Sequence, residues 1–410
     1  MRSYKFILSV QGEGRGHLTQ AIAIYELLRK SGHSISCVTV GISRERQIPD
    51  FFIRKINVPI IRLASPNFVK DNNKRSISLP RTISTNMLMM GEYRKSLSTI
   101  KKITDEYQPD IVINFYEPLI GWYSLRYKHS FKIVSIAHQY TYLHPSYRFP
   151  PGNRIQSFIT RYYTKFTATG SKKILAISMH DMPEAANKKL VVIPPILRKE
   201  LFQQEVKQED FILVYLLNSG YIADILKWHK KHPSTVLYCF TDSAEVKNEH
   251  KGEWKINDNL VFYSLNDHKF LEMMARCKGL VCNAGFESVC EAMYLGKPVM
   301  MVPVKGHYEQ YCNALDGSKV GAGIYSEEFN LGKMEHYFLF HKNQRKETYL
   351  AWVNQMECMV LSAIESVFSP EKGVENTVGF PANRIQSAKQ HYIDQLTDPS
   401  FSSFKDMPST

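Results

Sequence analysis

The stretch LVCNAGFESVCEAMYLGKPVMMVPVKGHYEQYCNA, residues 280–314, spaces a glycine turn, carboxylates and an amide as a phosphate- and hydroxyl-bearing ligand would need them. The apolar run 279–283 reads as a strand ending at Asn283. Ala284-Gly285 makes a turn, and a helix is predicted from about Phe286 to Leu295, stopped by Gly296 and Pro298. A helix amino terminus at the carboxyl end of a strand offers unpaired N–H groups to a phosphate. Glu287 and Glu291 stand four residues apart and share one helix face. A carboxylate a short distance from a bound diphosphate can accept hydrogen bonds from a ribose diol. The next strand leads into HYEQYCNA, where Glu309 and Gln310 could reach sugar hydroxyls.

A second cluster opens the chain. SVQGEGRGHLTQA, residues 9–21, puts Gly12, Gly14 and Gly16 between an apolar run and an amphipathic one, with His17 where a helix starts. Such glycines serve either a tight turn without a ligand or a close approach of backbone to another molecule. Glu117, at the end of the predicted strand 110–116, is placed to orient a histidine. His138 and Gln139 follow the strand 132–138 and point to the same side. No Asp-x-Asp sits beside a strand to suggest a metal-held diphosphate, so no metal site is expected and an anionic group would meet N–H groups and cations.

These groups need a scaffold. KFILSV (5–10), a helix over 18–30 and SISCVTV (34–40) form a βαβ unit. A helix over 97–107 and strands at 110–116, 132–138 and 172–178 continue the series. VVIPPILRKE (191–200), with Pro194-Pro195, breaks it. A second series follows, with strands at 211–217, 235–241, 259–264, 279–283 and 298–304. The fold class is therefore α/β, with two Rossmann-like doubly wound domains facing each other across a cleft. The expected divisions are 1–193, a linker at 194–200, 201–344, one long packed helix over 345–368 and a flexible tail at 369–410. Ligands of such sheets bind beyond the carboxyl ends of the strands.

Of 410 residues, 44% are apolar and 22% charged, which excludes fibrous and generally disordered classes. Lys and Arg exceed Asp and Glu by 52 − 39 = 13, favouring anionic partners. Seven cysteines without a CxxC pair read as reduced and buried. The amino terminus lacks the pattern of a signal peptide, no segment is long and apolar enough to span a membrane, and a cytoplasmic protein is expected.

Residues 280–314 resemble the donor-binding signature of GT-B glycosyltransferases. The likeness is to the inverting branch of the peptidoglycan N-acetylglucosaminyltransferase (family 28) and the UDP-glycosyltransferases. GEGRGHLTQA is similar to the amino-terminal glycine loop of those families. The resemblance implies that Gly285 and Ser288 hold the donor diphosphate, Glu291 the ribose, and Glu309 and Gln310 the donor sugar. It implies that Ser219 and Gly220 of LLNSGY (216–221) meet the phosphates, and that His17 is the general base. Gly14, Arg15, Gly16, His138 and Gln139 would face the acceptor. His17 is expected at the ordinary pKa near 6.5, and Glu291 as an exposed helix glutamate whose loss would leave folding intact.

The activity so implied is inverting, metal-independent transfer from a nucleotide-activated sugar, UDP-sugar favoured, to a hydroxyl of a glycan, a lipid-linked or a small-molecule acceptor. The nucleotide-sugar is a co-substrate, no cofactor is expected, and a role in cell envelope polysaccharide fits. The basic and aromatic residues from Arg148 to Lys173 read as a solvated helix face first, and otherwise as a patch for an anionic acceptor or for peripheral contact with the inner face of a membrane. Three other readings stand beside this one. A sugar-nucleotide epimerase shares the fold. A dinucleotide-dependent oxidoreductase would use the glycine loop, although CVTVGISRER (37–46) lacks the acidic residue for a ribose 2′-hydroxyl. A non-catalytic basic module would bind nucleic acid or membrane, but no nucleic-acid motif is present and no nucleic-acid partner is expected.

Overall fold

A computed structural model describes residues 3–44, 46–67, 69, 78–216, 220–340 and 345–368. The apolar runs become strands because helices cover both faces of each sheet, and a run shielded on both sides satisfies its backbone in a parallel ladder. The first sheet comprises β1 (Lys5–Gln11), β2 (Ser34–Ile42), β3 (Ile60–Ala64), β4 (Ile111–Phe115), β5 (Lys132–Ala137), β6 (Lys173–Ile177) and β7 (Leu190–Ile193). Its order is β3-β2-β1-β4-β5-β6-β7, with every neighbour parallel. Val191–Ile193, the start of the stretch VVIPPILRKE, belong to this sheet. The second sheet comprises β8 (Ile212–Tyr215), β9 (Leu237–Thr241), β10 (Glu253–Asn257), β11 (Leu260–Ser264), β12 (Gly279–Cys282), β13 (Val299–Met301) and β14 (Gly323–Tyr325). Its order is β10-β11-β9-β8-β12-β13-β14, parallel except where β10 meets β11. These are the two Rossmann-like domains expected.

Helices of the first half are α1 (Arg15–Lys30), α2 (Asp50–Lys55), α3 (Leu79–Leu88), α4 (Met90–Tyr107), α5 (Pro118–Arg126) and α6 (Arg154–Thr167). A 3₁₀ turn over His138–Leu143 follows β5. The second half has α7 (Tyr221–Lys231), α8 (Asp267–Arg276), α9 (Phe286–Tyr294), α10 (Tyr308–Lys319) and α11 (Leu331–Phe340). The apolar stripe over 345–368 forms two helices rather than one, α12 (Glu347–Val353) and α13 (Met356–Glu365). The break is short: Gln355 N donates to Trp352 O, a three-residue step, and Met359 N to Gln355 O resumes the helix. α12 packs on α9, whereas α13 packs on β6 and β7, so the chain returns to the first sheet at its end. Two hydrogen bonds mark this return, Tyr349 Oη to Cys290 O at 3.0 Å and Trp352 Nε1 to Ser178 O at 3.0 Å. The expected tail from 369 lies outside the described residues. All seven cysteines are free, and six are buried, with Cys358 exposed.

The strand orders locate the site. In the first sheet the connections leave β1 and β4 in opposite directions, and in the second they leave β8 and β12 likewise. Each divergence opens a crevice at the carboxyl ends of two strands. Both crevices carry a non-glycine residue in the left-handed region: Tyr116 (φ 59°) follows β4 and Ala284 (φ 57°) follows β12. Strain of this kind persists where the surroundings over-determine it.

Candidate active site

α1 begins at the first crevice. Gly12 is glycine for packing: a Cβ there would lie 2.6 Å from Val40 Cγ1, and its N–H donates to Gly41 O at 2.8 Å. Gly14 caps α1 in an extended conformation with open space around it. Gly16 answers to the other half of the molecule, because its Cβ would stand 3.2 Å from Cγ of Glu287, in the first turn of α9. The glycine loop therefore lets the two switch points close on each other.

His17 lies buried in the first turn of α1, its ring stacked on Tyr116 at a centroid distance of 5.7 Å. Its Nδ1 lies 3.4 Å from Gln20 Oε1, and its Nε2 lies 3.4 Å from Gln139 Nε2. Gln20 Nε2 in turn donates to Glu287 Oε1, which fixes the way the Gln20 amide faces. These contacts agree on one tautomer. Gln20 Oε1 can only accept, so Nδ1 carries the hydrogen; Gln139 Nε2 can only donate, so Nε2 keeps its lone pair. Burial lowers the His17 pKa, opposed by the Glu309 carboxylate and the Gln20 contact. The expectation of an ordinary pKa near 6.5 is thereby corrected: desolvation disfavours the imidazolium.

Opposite His17 stand the first turns of α9 and α10. Gly285 caps α9 at the end of β12, exposed and with nothing near its absent side chain, and Ser288 lies in the same turn, half-buried. Glu309 Oε1 is 3.4 Å from His138 Nε2, and His138 stacks on Phe286 at 4.6 Å. Burial pushes His138 down to about 4 against the pull of Glu309. Burial also raises the Glu309 carboxyl, but His138, His307 and His17 outweigh it and leave it below its ordinary value. Gln310 uses its Oε1 to accept from Val304 N at 2.8 Å, bracing the loop before α10. Gly220 caps α7 at the end of the β8 crevice, while Ser219 lies outside the described residues.

Three expected roles meet a different geometry. Glu291 is not an exposed helix glutamate: it is 2% exposed, and Arg198 Nε and Nη2 donate to its two oxygens at 2.5 and 2.7 Å. Arg198 lies in the connector between the sheets, so this carboxylate ties α9 to that connector. Arg15, expected to face the acceptor, reaches both Asp267 oxygens from Nη2 at 2.6 and 2.7 Å, and its guanidinium lies 4.4 Å over the Phe51 ring. It joins α1 to α8. Glu117, expected to orient a histidine, caps α5 through Leu119 N at 3.0 Å and accepts from Ser65 Oγ at 2.5 Å. His17 takes Gln20 and Gln139 instead. Glu117 Oε2 occupies the place where a Cβ on Gly41 would be, and burial pushes this carboxyl up to about 7.

The sequence reading assigned no role to Gln20, Arg198 or Asp267, nor to Glu287 beyond its helix face. Gln20 carried a signal, lying three residues after His17 on the same face of α1. Arg198 and Asp267 carried none, because their partners are 93 and 252 residues away.

A family model described as glycosyl transferase family 1 matches residues 4–340. An uncharacterized glycosyltransferase of Methanosarcina acetivorans is 25% identical over 345 residues, 78% of this chain and 82% of the relative. Among solved structures, Acinetobacter baumannii MurG superposes with a TM-score of 0.52 at 15% identity, covering 89% of this chain and 100% of that one. The spinosyn rhamnosyltransferase SpnG, solved in complex with thymidine diphosphate, gives a TM-score of 0.53 at 11% identity over 88% and 100%. The two doubly wound sheets are those of the GT-B fold, and the match over residues 4–340 settles which enzymes share this chain's ancestry: the protein belongs to glycosyl transferase family 1 and is a glycosyltransferase.

Proposed function

We propose that the enzyme transfers a sugar from a nucleotide donor, a UDP-sugar in the first instance, to a hydroxyl of a glycan, lipid-linked or small-molecule acceptor, with inversion and without a metal. One observation carries the reading: His17 Nε2, unprotonated and 3.4 Å from the Gln139 amide that an acceptor hydroxyl would displace, sits in the same cleft as the amino terminus of α9. The acceptor hydroxyl gives its proton to His17 Nε2 while its oxygen attacks the anomeric carbon from the face opposite the departing diphosphate. The bond to the diphosphate breaks with its electron pair, and the N–H groups at the start of α9, around Gly285 and Ser288, stabilise the charge that leaves. Glu309 favours the imidazolium that forms on His17, as its electrostatic effect on the ring indicates. Glu291 has two lone-pair directions beyond those taken by Arg198, and a ribose diol would use them with the carboxylate held in place. The complex of SpnG with thymidine diphosphate supports a nucleoside diphosphate as the leaving part of the donor.

The test is a thermal-shift screen with UDP-, GDP- and dTDP-sugars, followed by analysis of the product's anomeric configuration. Selective stabilisation by one nucleotide class is expected, about 2.7 kcal/mol at a hundredfold excess over Kd. No response to any nucleotide, or a product of retained configuration, would overturn the reading. Release of free nucleotide and an epimerised sugar without an acceptor would point to an epimerase.

A further inference from the structure

α6 shows solvent a face that a solvated helix does not need. Ile155 (76% exposed), Phe158 (69%), Ile159 (37%) and Tyr162 (67%) recur at i, i+3, i+4 and i+7, so they form one stripe. Arg154, Arg161 and Lys165, all exposed, form the adjoining row at i, i+7 and i+11. The opposite side is fixed to the first domain: Thr164 and Thr167 are buried, and Tyr116 Oη bonds Thr164 Oγ1 at 2.8 Å.

Charge decides what covers it. Between Glu117 and Asp181 the chain has no acidic residue, while Arg126, Lys128, Lys132, Arg148, Arg154, Arg161, Lys165, Lys172 and Lys173 all fall there. A two-fold dimer through α6 would set Arg154, Arg161 and Lys165 against their own copies, which like charges oppose. An anionic bilayer surface accepts both rows at once, apolar side chains at the headgroup boundary and cations on the phosphates.

We propose that α6 is a membrane-docking helix that seats the enzyme on anionic lipid. Its place in the fold gives the docking a use. Ser157 Oγ bonds Tyr308 Oη at 2.6 Å, and Tyr308 begins α10, which carries Glu309 and Gln310. The helix thus borders the cleft on the side of the groups assigned to the donor sugar, where an acceptor anchored in lipid would arrive. This use rests on the glycosyl-transfer reading; the docking itself does not.

The experiment is flotation of the full chain, without donor, with vesicles of phosphatidylglycerol and phosphatidylcholine or of phosphatidylcholine alone. Wild type is expected to float with the mixed vesicles and at least tenfold less with the zwitterionic ones. Phe158→Ser with Tyr162→Ser, both at exposed positions, should keep the wild-type Tm and weaken binding tenfold or more. Arg154→Gln, Arg161→Gln and Lys165→Gln together should weaken it about a hundredfold, each cation near an anionic leaflet being worth roughly fivefold. Both variants should retain the nucleotide-induced thermal shift, which separates failure of docking from failure of the glycosyl-transfer reading. Wild type that stays out of the anionic fraction would overturn the proposal. So would binding indifferent to the Phe158 and Tyr162 changes, a dimer by light scattering that those changes dissolve, or binding to single-stranded RNA with none to vesicles.

Discussion

Replacing Glu291 with alanine tests the geometry most directly. The carboxylate is almost wholly buried, and both of its oxygens accept from the Arg198 guanidinium. Its attraction more than offsets the burial of Arg198, whose pKa stays above its ordinary value although desolvation lowers it. Removing the acid leaves a guanidinium only 18% exposed, and without its carboxylate, at the connector between the sheets. The expected cost is about 3–5 kcal/mol, or a fall in Tm of roughly 6–10 °C at about 2 °C per kcal/mol for a chain of this size. Glu291→Leu combined with Arg198→Met should recover most of it, since an apolar pair of similar volume escapes the desolvation. Calorimetry on the purified single and double variants decides the matter. A single variant within about 1 °C of wild type, or a double variant no more stable than the single, would refute the reasoning.

Five further expectations follow from the site. His17→Ala should lower kcat by about a hundredfold or more and leave donor affinity, read by titration calorimetry, nearly unchanged. Because burial lowers the His17 pKa, the acid limb of the pH–rate profile should fall below pH 6.5; a limb above it would contradict the assignment. Gln20→Leu removes the contact that holds the His17 tautomer, so kcat should fall roughly tenfold at constant donor KM, and an unchanged kcat would remove Gln20 from the mechanism. Burial raises Glu117 to about 7 and Glu287 to about 8, so the folded chain binds more protons than the unfolded chain above the ordinary value of 4.5. Stability should therefore fall as pH rises from about 5 to 8, by roughly 3 kcal/mol for Glu117 alone. Glu117→Gln or Glu287→Gln should flatten that decline in Tm, and an undiminished slope would show these carboxyls to be ionised. Transfer should also persist in excess chelator; activity that returns only with magnesium or manganese would end the metal-independent reading.

What the sequence made legible is local. The strand-glycine-helix units at β1–α1 and β12–α9 announce themselves because hydrophobic period, turn residue and helix start all lie within about twenty positions. The place of Glu309 and Gln310 is legible in the same way, as the first turn of a helix after a strand. What stayed hidden is pairing at long range. Nothing near Glu291 shows that Arg198 will enclose it, and nothing near Gly16 shows that Glu287 will approach across the cleft. The same holds for the region 345–368: its stripe continues through the break at Asn354-Gln355, so the period alone does not reveal that one half docks on α9 and the other on β6 and β7.

That late return gives the first sheet a dependence on chain order. Val360, Ala363 and Ile364 of α13 are buried, and the helix packs on β6 and β7, strands completed more than 160 residues earlier. During synthesis the amino-terminal half can pair its strands as they emerge, yet one flank stays uncovered until the ribosome has passed residue 365. A nascent chain stalled in the second half would present that apolar flank to chaperones. Expression of residues 1–200 alone should yield the same exposed surface, so dissecting this enzyme into its halves calls for supplying α12 and α13 as a separate piece.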